Sequence, residues 1–247
     1  MGFDGKCIAP LERREGLACV DFIRGKRVAI DSAGWAFEAS SRVRVASIRS
    51  RSRDARWELS AYNLARGRLE QLKAVGSTPV VVLEGLDSHR VMRGISRACV
   101  DSGSQRLEAP NGCPGECVCA HLSARGDVDL VWTADVYDCI LFGARSVMRR
   151  VPRGGPAISA RCTSKCEMET IDITEPVRAN LMVLAACIGV DFLSGSGIRG
   201  VGQAKARRLV EGDAALPPDV REGVDDLSRR VLDLQQQARG SCLQACT

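Results

Sequence analysis

Six carboxylates lie at the ends of apolar segments or in the turns beside them: Asp31, Glu84, Glu116, Asp135, Asp138 and Asp191. A single acid in such a position is usually a helix cap or a loop residue, and Asp135 and Asp138 can each be explained that way. Six together favour a shared site, because converging carboxylates repel one another and need a cation to neutralise them. Oxygen ligands without histidine favour Mg²⁺ or Mn²⁺ over zinc. Two such ions can stabilise the attacking and leaving oxygens in phosphodiester cleavage.

Two of these acids follow buried strands, which are predicted at Arg27–Asp31 and at Pro79–Leu83, just before Glu84. Strands alternating with helices predict an α/β fold with a mostly parallel sheet and helices on both faces. Ligands bind beyond the carboxyl ends of such strands, so we expect Asp31 and Glu84 to meet at one edge. The remaining elements are predicted as strands at Gln105–Ala109 and Leu130–Thr133, short apolar pieces at Ile140–Phe142 and Ser146–Met148, and helices from Trp35, over Trp57–Leu72, Glu116–Ala124 and Asn180–Ile188.

The composition changes after Gly189. Ser194–Gly202 is rich in glycine, Ala204–Glu211 is a short basic helix, and Val220–Ala238 has the spacing of an amphipathic helix. Glycines allow close approach of the backbone, and N–H groups at a helix start can face a phosphate. In isolation, an ordinary turn between helices explains the glycines more simply.

The charge and hydropathy of the chain limit the classes of protein to which it can belong. The 247 residues are 45% hydrophobic and 26% charged, as in globular proteins that fold in water, and no run of about 20 apolar residues predicts a membrane span. The net charge of +5 comes mostly from arginine and favours a polyanionic partner. The stretch from Arg42 to Arg56 crowds six arginines, which are equally compatible with phosphate contacts and with a solvated loop.

Twelve cysteines without a secretory signal indicate reduced thiols in the cytosol or nucleus. Three groups are spaced like metal ligands: Cys113/Cys117/Cys119, Cys162/Cys166 and Cys242/Cys246. Structural zinc is the less favoured interpretation, since no CxxC pair occurs and the chain has only two histidines. Cys99, Cys139 and Cys187 are predicted to be small buried apolar residues.

Five segments in order resemble the XPG/flap-endonuclease nucleases along most of the chain: RVAIDSAGWAFEAS, PVVVLEG, RLEAPNGCPGECVCAHL, VDLVWTADVYDCILFGARSVMR and ANLMVLAACIGVDFLSGSGIRGVGQAKARRLV. GECVCAHL resembles the family's EAEAxCAxL helix, and DCILFGA its DxLLFGA segment. The LEG form of the second strand is similar to the Holliday-junction-resolving, GEN-like branch. The resemblance implies a PIN-like sheet followed by a helix–two-turn–helix (SAM-like) module, divided into an N-terminal-like region at 1–100, an internal region at 101–188 and a DNA-binding module with a C-terminal helix at 189–247.

The resemblance also implies a set of metal ligands: Asp31, Glu84, Glu116, Asp138 and Asp191. The first three would hold the more complete Mg²⁺ and the last two a second ion, with Mn²⁺ as an alternative metal. Two family acids are replaced, by Pro114 and by Val136, and Asp135 could substitute if the loop slips by one residue. The resemblance further implies K⁺ at the glycine-rich turn.

The expected partner is branched or junction DNA, cleaved in nuclear DNA repair or recombination by a structure-specific endonuclease that dimerises on a junction. A membrane is not expected as a partner. The residues expected to contact the scissile phosphate or the duplex are Arg90, Arg97, Gly197, Gly200, Gly202, Lys205, Arg207, Arg49 and Arg51. Trp35 and Trp57 could stack on DNA, although a core position is favoured. Two rivals stay open: a catalytically dead binding protein of the same fold, and a PIN-like ribonuclease, which would leave the glycine-rich module unexplained.

Overall fold

A computed structural model of the chain describes residues 9–47, 54–85, 90–150, 167–190, 192, 197–211 and 215–244. Within these residues a seven-stranded sheet has the order β1-β7-β6-β5-β2-β3-β4. Its strands are β1 Glu12–Glu15, β2 Arg27–Asp31, β3 Thr78–Leu83, β4 Gln105–Glu108, β5 Leu130–Trp132, β6 Ser146–Arg150 and β7 Glu167–Asp172. The helices are α1 Leu17–Ile23, α2 Ala33–Ser47, α3 Asp54–Ala74, α4 Arg90–Ser102, α5 Gly115–Arg125, α6 Val136–Leu141, α7 Glu175–Ile188, α8 Gln203–Glu211 and α9 Pro218–Gln244.

The centre of the sheet is parallel. β2 pairs with β3 and β5, β3 with β4, and β5 with β6, all in parallel, while β7 runs antiparallel to β6 and β1. The predicted mostly parallel α/β sheet is therefore confirmed. All of the central carboxyl ends point to the same edge, which is where strand-terminal acids can gather.

The central strands are buried on both faces. Val28, Ala29 and Ile30 of β2 are fully buried, and so are Val81 to Leu83 of β3. Continuous apolar runs of this kind are typical of parallel strands covered by helices on both sides. One apolar cluster packs α5, α6, α7 and α9 on one face, and a second packs α1, α2, α3 and α4 on the other.

Helix α2 is anchored beneath the edge that carries the acids. Trp35 is buried, and its ring meets Trp132 of β5 edge-on with centroids 6.0 Å apart. The buried guanidinium of Arg68 lies over both rings and pairs with Glu38 at 2.5 Å. The core interpretation of Trp35 is therefore confirmed, and Trp57 is half-buried against the same cluster.

Four elements were not anticipated from the sequence: β1, α1, α4 and β7. The largest is α4, a helix of 13 residues in a stretch for which no element is predicted. It crosses α3 closely at Gly94, where an added Cβ would collide with the main-chain oxygen of Glu58. The piece Ile140–Phe142 is the end of α6 rather than a separate element.

The helices after the sheet form their own small apolar cluster around Leu184, Cys187 and Ala206. Gly197 has a φ of 101° and lies against Ile188, so that a Cβ there would sit 3.0 Å from the Ile188 carbonyl carbon. The N–H of Ile198 donates to the oxygen of Cys187 at 2.8 Å, which closes the turn between α7 and α8. None of the described helices is both long and apolar enough to cross a membrane.

Candidate metal centre

Three acids from distant parts of the chain meet at the carboxyl edge of the sheet. Asp31 ends β2, and Glu84 follows β3, the parallel neighbour of β2. Glu116 lies in the first turn of α5, which packs over the same strands. One oxygen from each carboxylate lies within 4.8 Å of the others. The predicted meeting of Asp31 and Glu84 is confirmed, and Glu116 joins them.

Specific donors orient two of the three carboxylates. Oδ1 of Asp31 accepts a hydrogen bond from the N–H of Ala33 at 2.9 Å, and Oδ2 accepts one from the Thr133 hydroxyl at 3.1 Å. Oε1 of Glu84 accepts a hydrogen bond from the N–H of Gly115. The start of α2, the end of β5 and the start of α5 therefore each hold part of the site.

Glycine is required at position 115 because the backbone of α5 approaches the acids so closely. An added Cβ would lie 2.7 Å from Oε1 of Glu84 and 3.2 Å from Oδ1 of Asp31. Pro114 precedes this glycine as the N-cap, with φ −61° and ψ 145°. Its missing N–H costs nothing at a helix start, so the proline replaces the family's glutamate without disrupting α5.

Burial raises the pKa of all three acids, and mutual repulsion adds to the rise for Asp31 and Glu116. Burial, followed by the charges of Glu84 and Asp135, raises the pKa of Asp31 from 3.8 to about 7. Burial and the charge of Asp31 raise the pKa of Glu116 from 4.5 to about 10, and burial raises the pKa of Glu84. These pKa shifts are consistent with a cation-binding site, because a bound cation would stabilise the ionised carboxylates against both desolvation and mutual repulsion.

A cavity of about 580 Å³ opens onto two of the three acids, Glu84 and Glu116. Its lining includes Glu84, Glu116, Met92, Pro110 and Cys113. The donor set of three carboxylates without histidine or thiolate suits Mg²⁺ or Mn²⁺, which prefer oxygen ligands.

The other predicted metal ligands are placed differently. Asp138 is buried in the first turn of α6 and is not one of the three acids that gather within 4.8 Å. Asp191 lies outside the described residues. Asp135 is the exposed N-cap of α6, near enough to raise the pKa of Asp31 and of Glu116. Val136 is buried in the apolar cluster on one face of the sheet, so no acid replaces the family's aspartate at that position.

The predicted arginine contacts lie on α4. Arg90 is its first residue and is exposed. Arg97, two turns later, pairs with Asp101 at 3.9 Å and stacks 5.2 Å from the ring centre of Tyr62.

The predicted duplex contacts lie at the turn before α8. Gly197, Gly200 and Gly202 form this turn, and exposed Lys205 and Arg207 follow on the helix. Arg207 pairs with Glu211 at 2.6 Å. Arg49 and Arg51 lie outside the described residues.

Two positioning residues were missed from the sequence. Thr133 had been assigned only as the end of a strand, and Gly115 only as part of a family motif. Thr133 follows β5 at the edge where Asp31 and Glu84 lie, so the rule that located the acids could have located it as well.

Comparisons with known proteins agree with this architecture. The family model for the XPG I-region matches residues 103–195. Flap endonuclease 1 of Methanosarcina acetivorans is 31% identical over 124 residues, 47% of this chain and 35% of the relative. Flap endonuclease GEN-like 1 of Oryza sativa subsp. japonica is 26% identical over 245 residues, 83% of this chain and 37% of the relative. The chain thus covers little more than a third of the length of these relatives.

Solved structures share the fold. The Holliday junction-resolving enzyme GEN1, in complex with product DNA and a Mg²⁺ ion, superposes with a TM-score of 0.60 at 23% identity, over 94% of this chain and 56% of that one. Flap endonuclease-1 from Methanococcus jannaschii gives 0.59 at 18% identity, over 94% and 97%. The sheet is the PIN-like fold of these nucleases. The chain is thus similar to the XPG/flap-endonuclease nucleases in its I-region and in its fold.

Proposed function

We propose that the protein is a structure-specific endonuclease that cleaves phosphodiesters of branched DNA with the help of divalent cations. The observation that carries the proposal is the convergence of Asp31, Glu84 and Glu116 at the carboxyl edge of the sheet. The relatives named above as flap endonucleases, and the neighbour that resolves Holliday junctions, support branched DNA as the substrate class. A role in nuclear DNA repair or recombination is part of the proposal.

The three acids would hold Mg²⁺, with Mn²⁺ as an alternative. A bound divalent cation supplies an activated water and neutralises charge on the phosphate. Thr133 and Ala33 keep the Asp31 carboxylate oriented, and Gly115 keeps Glu84 oriented. Asp138 and Asp191 are proposed for a second, weaker ion, and Asp135, the exposed N-cap of α6, is proposed as the substitute for the acid that is missing at Val136.

The DNA would be gripped at two places. Arg90 and Arg97 on α4 are proposed to contact the scissile phosphate, and the turn from Gly197 to Gly202 with Lys205 and Arg207 is proposed to contact the duplex backbone, with K⁺ at the turn. Arg49 and Arg51 are proposed as further backbone contacts. Contacts of this kind provide affinity and register rather than sequence choice. A four-way junction presents two equivalent cleavage points, so resolution would require a dimer on the DNA.

The experiment is cleavage of labelled flap, splayed-arm and four-way-junction DNA in Mg²⁺ and in Mn²⁺. An Asp31→Asn variant tests the metal centre, and Asp21→Asn is the matched control, since the Asp21 side chain is 68% exposed and pairs with Arg24 three residues away. Cutting that survives in the control and is lost in Asp31→Asn supports the proposal. The DNA structure that is cut most efficiently would indicate whether the protein is closer to the flap endonucleases or to the Holliday-junction-resolving, GEN-like branch.

A second candidate is a branched-DNA-binding protein that has lost cleavage. It is favoured by Val136, whose side chain is committed to the apolar core where the family has an acid, and by Pro114 at the start of α5. Tight, salt-sensitive binding of junction DNA without any Asp31-dependent cutting would decide for this candidate.

A further inference from the structure

An asparagine–glycine pair forms the tip of a turn beside the metal centre. Asn111 and Gly112 lie between β4 and α5, and both are exposed. A hydrogen bond of 2.9 Å from the N–H of Cys113 to the main-chain oxygen of Pro110 closes the turn. Gly112 has a φ of 79°, a conformation that glycine adopts without strain. The pair therefore belongs to a short turn that faces solvent.

An asparagine that is followed by glycine is chemically reactive. The main-chain nitrogen of the following residue can attack the side-chain carbonyl carbon of the asparagine, and glycine has no side chain to hinder this approach. The chain contains three asparagines, of which Asn111 is followed by glycine, whereas Asn63 and Asn180 are each followed by leucine. The sequence thus marks Asn111 as the asparagine whose neighbour hinders the attack least.

The turn leaves both reacting groups available. The hydrogen bond that closes it uses the N–H of Cys113, one residue after Gly112. Among the residues that the structure describes, neither the N–H of Gly112 nor the side-chain amide of Asn111 makes a hydrogen bond to the protein. A Cβ added at Gly112 would meet no atom within 4 Å, so the space around the turn is open to water. Neither reacting group has to give up a protein partner before the attack.

The other two asparagines are exposed as well, but they lie within helices. Asn63 is on α3 and Asn180 on α7. In a helix the following N–H is held in the hydrogen-bonded ladder and points along the axis, away from the preceding side chain. Exposure alone therefore does not distinguish Asn111, whereas exposure in a turn before glycine does.

The turn also lies where a new charge would act on the acids. Asn111 lines the cavity of about 580 Å³ that opens onto Glu84 and Glu116. Much of the remaining lining is apolar and includes Ala33 and Ala36. A carboxylate in place of the neutral amide would add a negative charge to the same cavity.

We propose that Asn111 is a modification site, at which the folded protein deamidates spontaneously and gains a carboxylate in the wall of this cavity. The deamidation depends only on the turn. Its consequence for metal rests on the proposed function: the added negative charge strengthens the attraction of the cavity for a divalent cation.

The reaction needs no reagent other than water. The nitrogen of Gly112 forms a bond to Cγ of Asn111, the bond between Cγ and the amide nitrogen breaks, and ammonia leaves with the proton of the Gly112 N–H. The product is a five-membered succinimide, which water then opens. Breaking the bond between Cγ and the Gly112 nitrogen gives aspartate, and breaking the bond at the main-chain carbonyl gives isoaspartate. Neither step oxidises or reduces the protein.

The test compares two tryptic peptides after the intact chain has been incubated at neutral pH for days. The peptide of residues 107–125 contains Asn111 as its one side-chain amide, and the peptide of residues 57–66 contains Asn63. The first should gain the mass difference between an amide and an acid, and should accept methyl groups from an isoaspartate-specific carboxyl methyltransferase. We expect Asn111 to react at least about tenfold faster than Asn63. A sample taken before incubation sets the background, and equal rates overturn the proposal.

Variants separate the chemistry of the turn from unfolding. Asn111→Gln would have to form a larger ring and should keep its amide. Gly112→Ala should react at least about tenfold more slowly, because the methyl group hinders the nitrogen and stiffens the turn. Melting temperatures identify a variant that is destabilised, since an unfolded chain exposes every asparagine. An Asn111→Gln variant that gains mass in residues 107–125 as fast as the unmodified protein overturns the assignment of the site.

Asn111→Asp reproduces one product and tests the effect on metal. Its affinity for Mn²⁺, followed by the paramagnetic resonance of the free ion, should be about two- to tenfold higher than that of the unmodified protein, because the new charge lies in the same cavity. Asn111→Gln should bind like the unmodified protein. Equal affinities of the two variants overturn the effect on metal. Protein that binds no Mn²⁺ in any form contradicts the metal centre itself, and the peptide masses still decide the deamidation.

Discussion

The hydroxyl of Thr133 donates a hydrogen bond to Oδ2 of Asp31 across 3.1 Å, from the end of one parallel strand to the end of its neighbour. The same hydroxyl oxygen accepts a hydrogen bond from the N–H of Asp135 at 3.0 Å. Thr133 is buried, so these two bonds define its orientation. The threonine therefore links the Asp31 carboxylate to the loop that leads into α6.

Replacing Thr133 with valine keeps the shape of the side chain and removes both hydrogen bonds. We expect the affinity for Mn²⁺ to fall about 10- to 100-fold, as is usual when a partner of a metal ligand is lost. Thr133→Ser, which keeps the hydroxyl, should retain most of the affinity. A titration with Mn²⁺ measures the effect separately from the melting temperature. Equal affinities for the valine and serine variants would contradict a positioning role.

Gly115 cannot accept a side chain without disturbing the acids. We expect Gly115→Ala to weaken Mn²⁺ binding and to lower the free energy of unfolding by about 1–3 kcal/mol, because the added methyl group would overlap Glu84. Gly67→Ala is the matched control. It also lies within a helix but has no atom within 4 Å of the added Cβ, so it should leave binding unchanged and raise stability by up to about 1 kcal/mol.

The raised pKa values of Asp31 and Glu116 predict that stability depends on pH in the direction opposite to ordinary acid denaturation. Asp31 has a pKa of about 7 in the folded chain, against 3.8 for an unperturbed aspartate. The folded state therefore binds the proton more tightly, so its contribution to stability is present below about pH 4 and is lost as the pH rises toward 7. Glu116, with a pKa raised to about 10, extends this loss to higher pH.

We accordingly expect the melting temperature of the metal-free protein to fall by several degrees between pH 5 and pH 8. Saturating Mg²⁺ should reduce this fall, since the cation binds the ionised carboxylates and only the folded chain gathers them. Asp31→Asn should flatten the metal-free profile. A metal-free melting temperature that rises over the same range would contradict the assignment of a buried, protonated cluster.

The elements of this protein that could be predicted from the sequence are those marked by a continuous or periodic run of apolar residues. Strand β2 matches its predicted bounds, Arg27–Asp31, because a buried parallel strand is a continuous apolar run. The meeting of Asp31 and Glu84 followed from the common direction of parallel strands. Helix α4 is not among the predicted elements, although Val91, Ile95 and Ala98 have helical spacing and are buried, because arginine, glycine and serine interrupt its apolar residues along the chain.

The features that the sequence could not indicate depend on how strands pair and how helices pack in the folded chain. Strands β1, ERRE, and β7, EMETID, are largely polar and are stabilised by pairing with each other. The contact of Gly115 with Glu84 depends on how deeply α5 settles onto the sheet, which is a consequence of tertiary packing.

Lys205 on α8 tests the proposed duplex grip through salt dependence. If Lys205 neutralises one phosphate, Lys205→Ala should weaken binding of duplex DNA and reduce the slope of log affinity against log salt by about one. Arg24→Ala is the matched control. It removes an exposed ion pair with Asp21, far from α8 in the sequence, and should leave the slope unchanged. Equal slopes for the unmodified protein, Lys205→Ala and Arg24→Ala would contradict a contact between Lys205 and the DNA.

Phe37 lies on α2, one turn after the Ala33 whose N–H orients Asp31, and is 75% exposed. An exposed aromatic on the helix whose first residue binds Asp31 could stack on an unpaired base at a branch point, an interaction of about 1–3 kcal/mol per base. We expect Phe37→Ala to weaken binding of splayed-arm DNA by roughly 5- to 150-fold, with little change for blunt duplex, which offers no unpaired base. Phe37→Trp should retain the preference. If Phe37→Ala weakens both DNAs equally, the ring contributes no branch recognition.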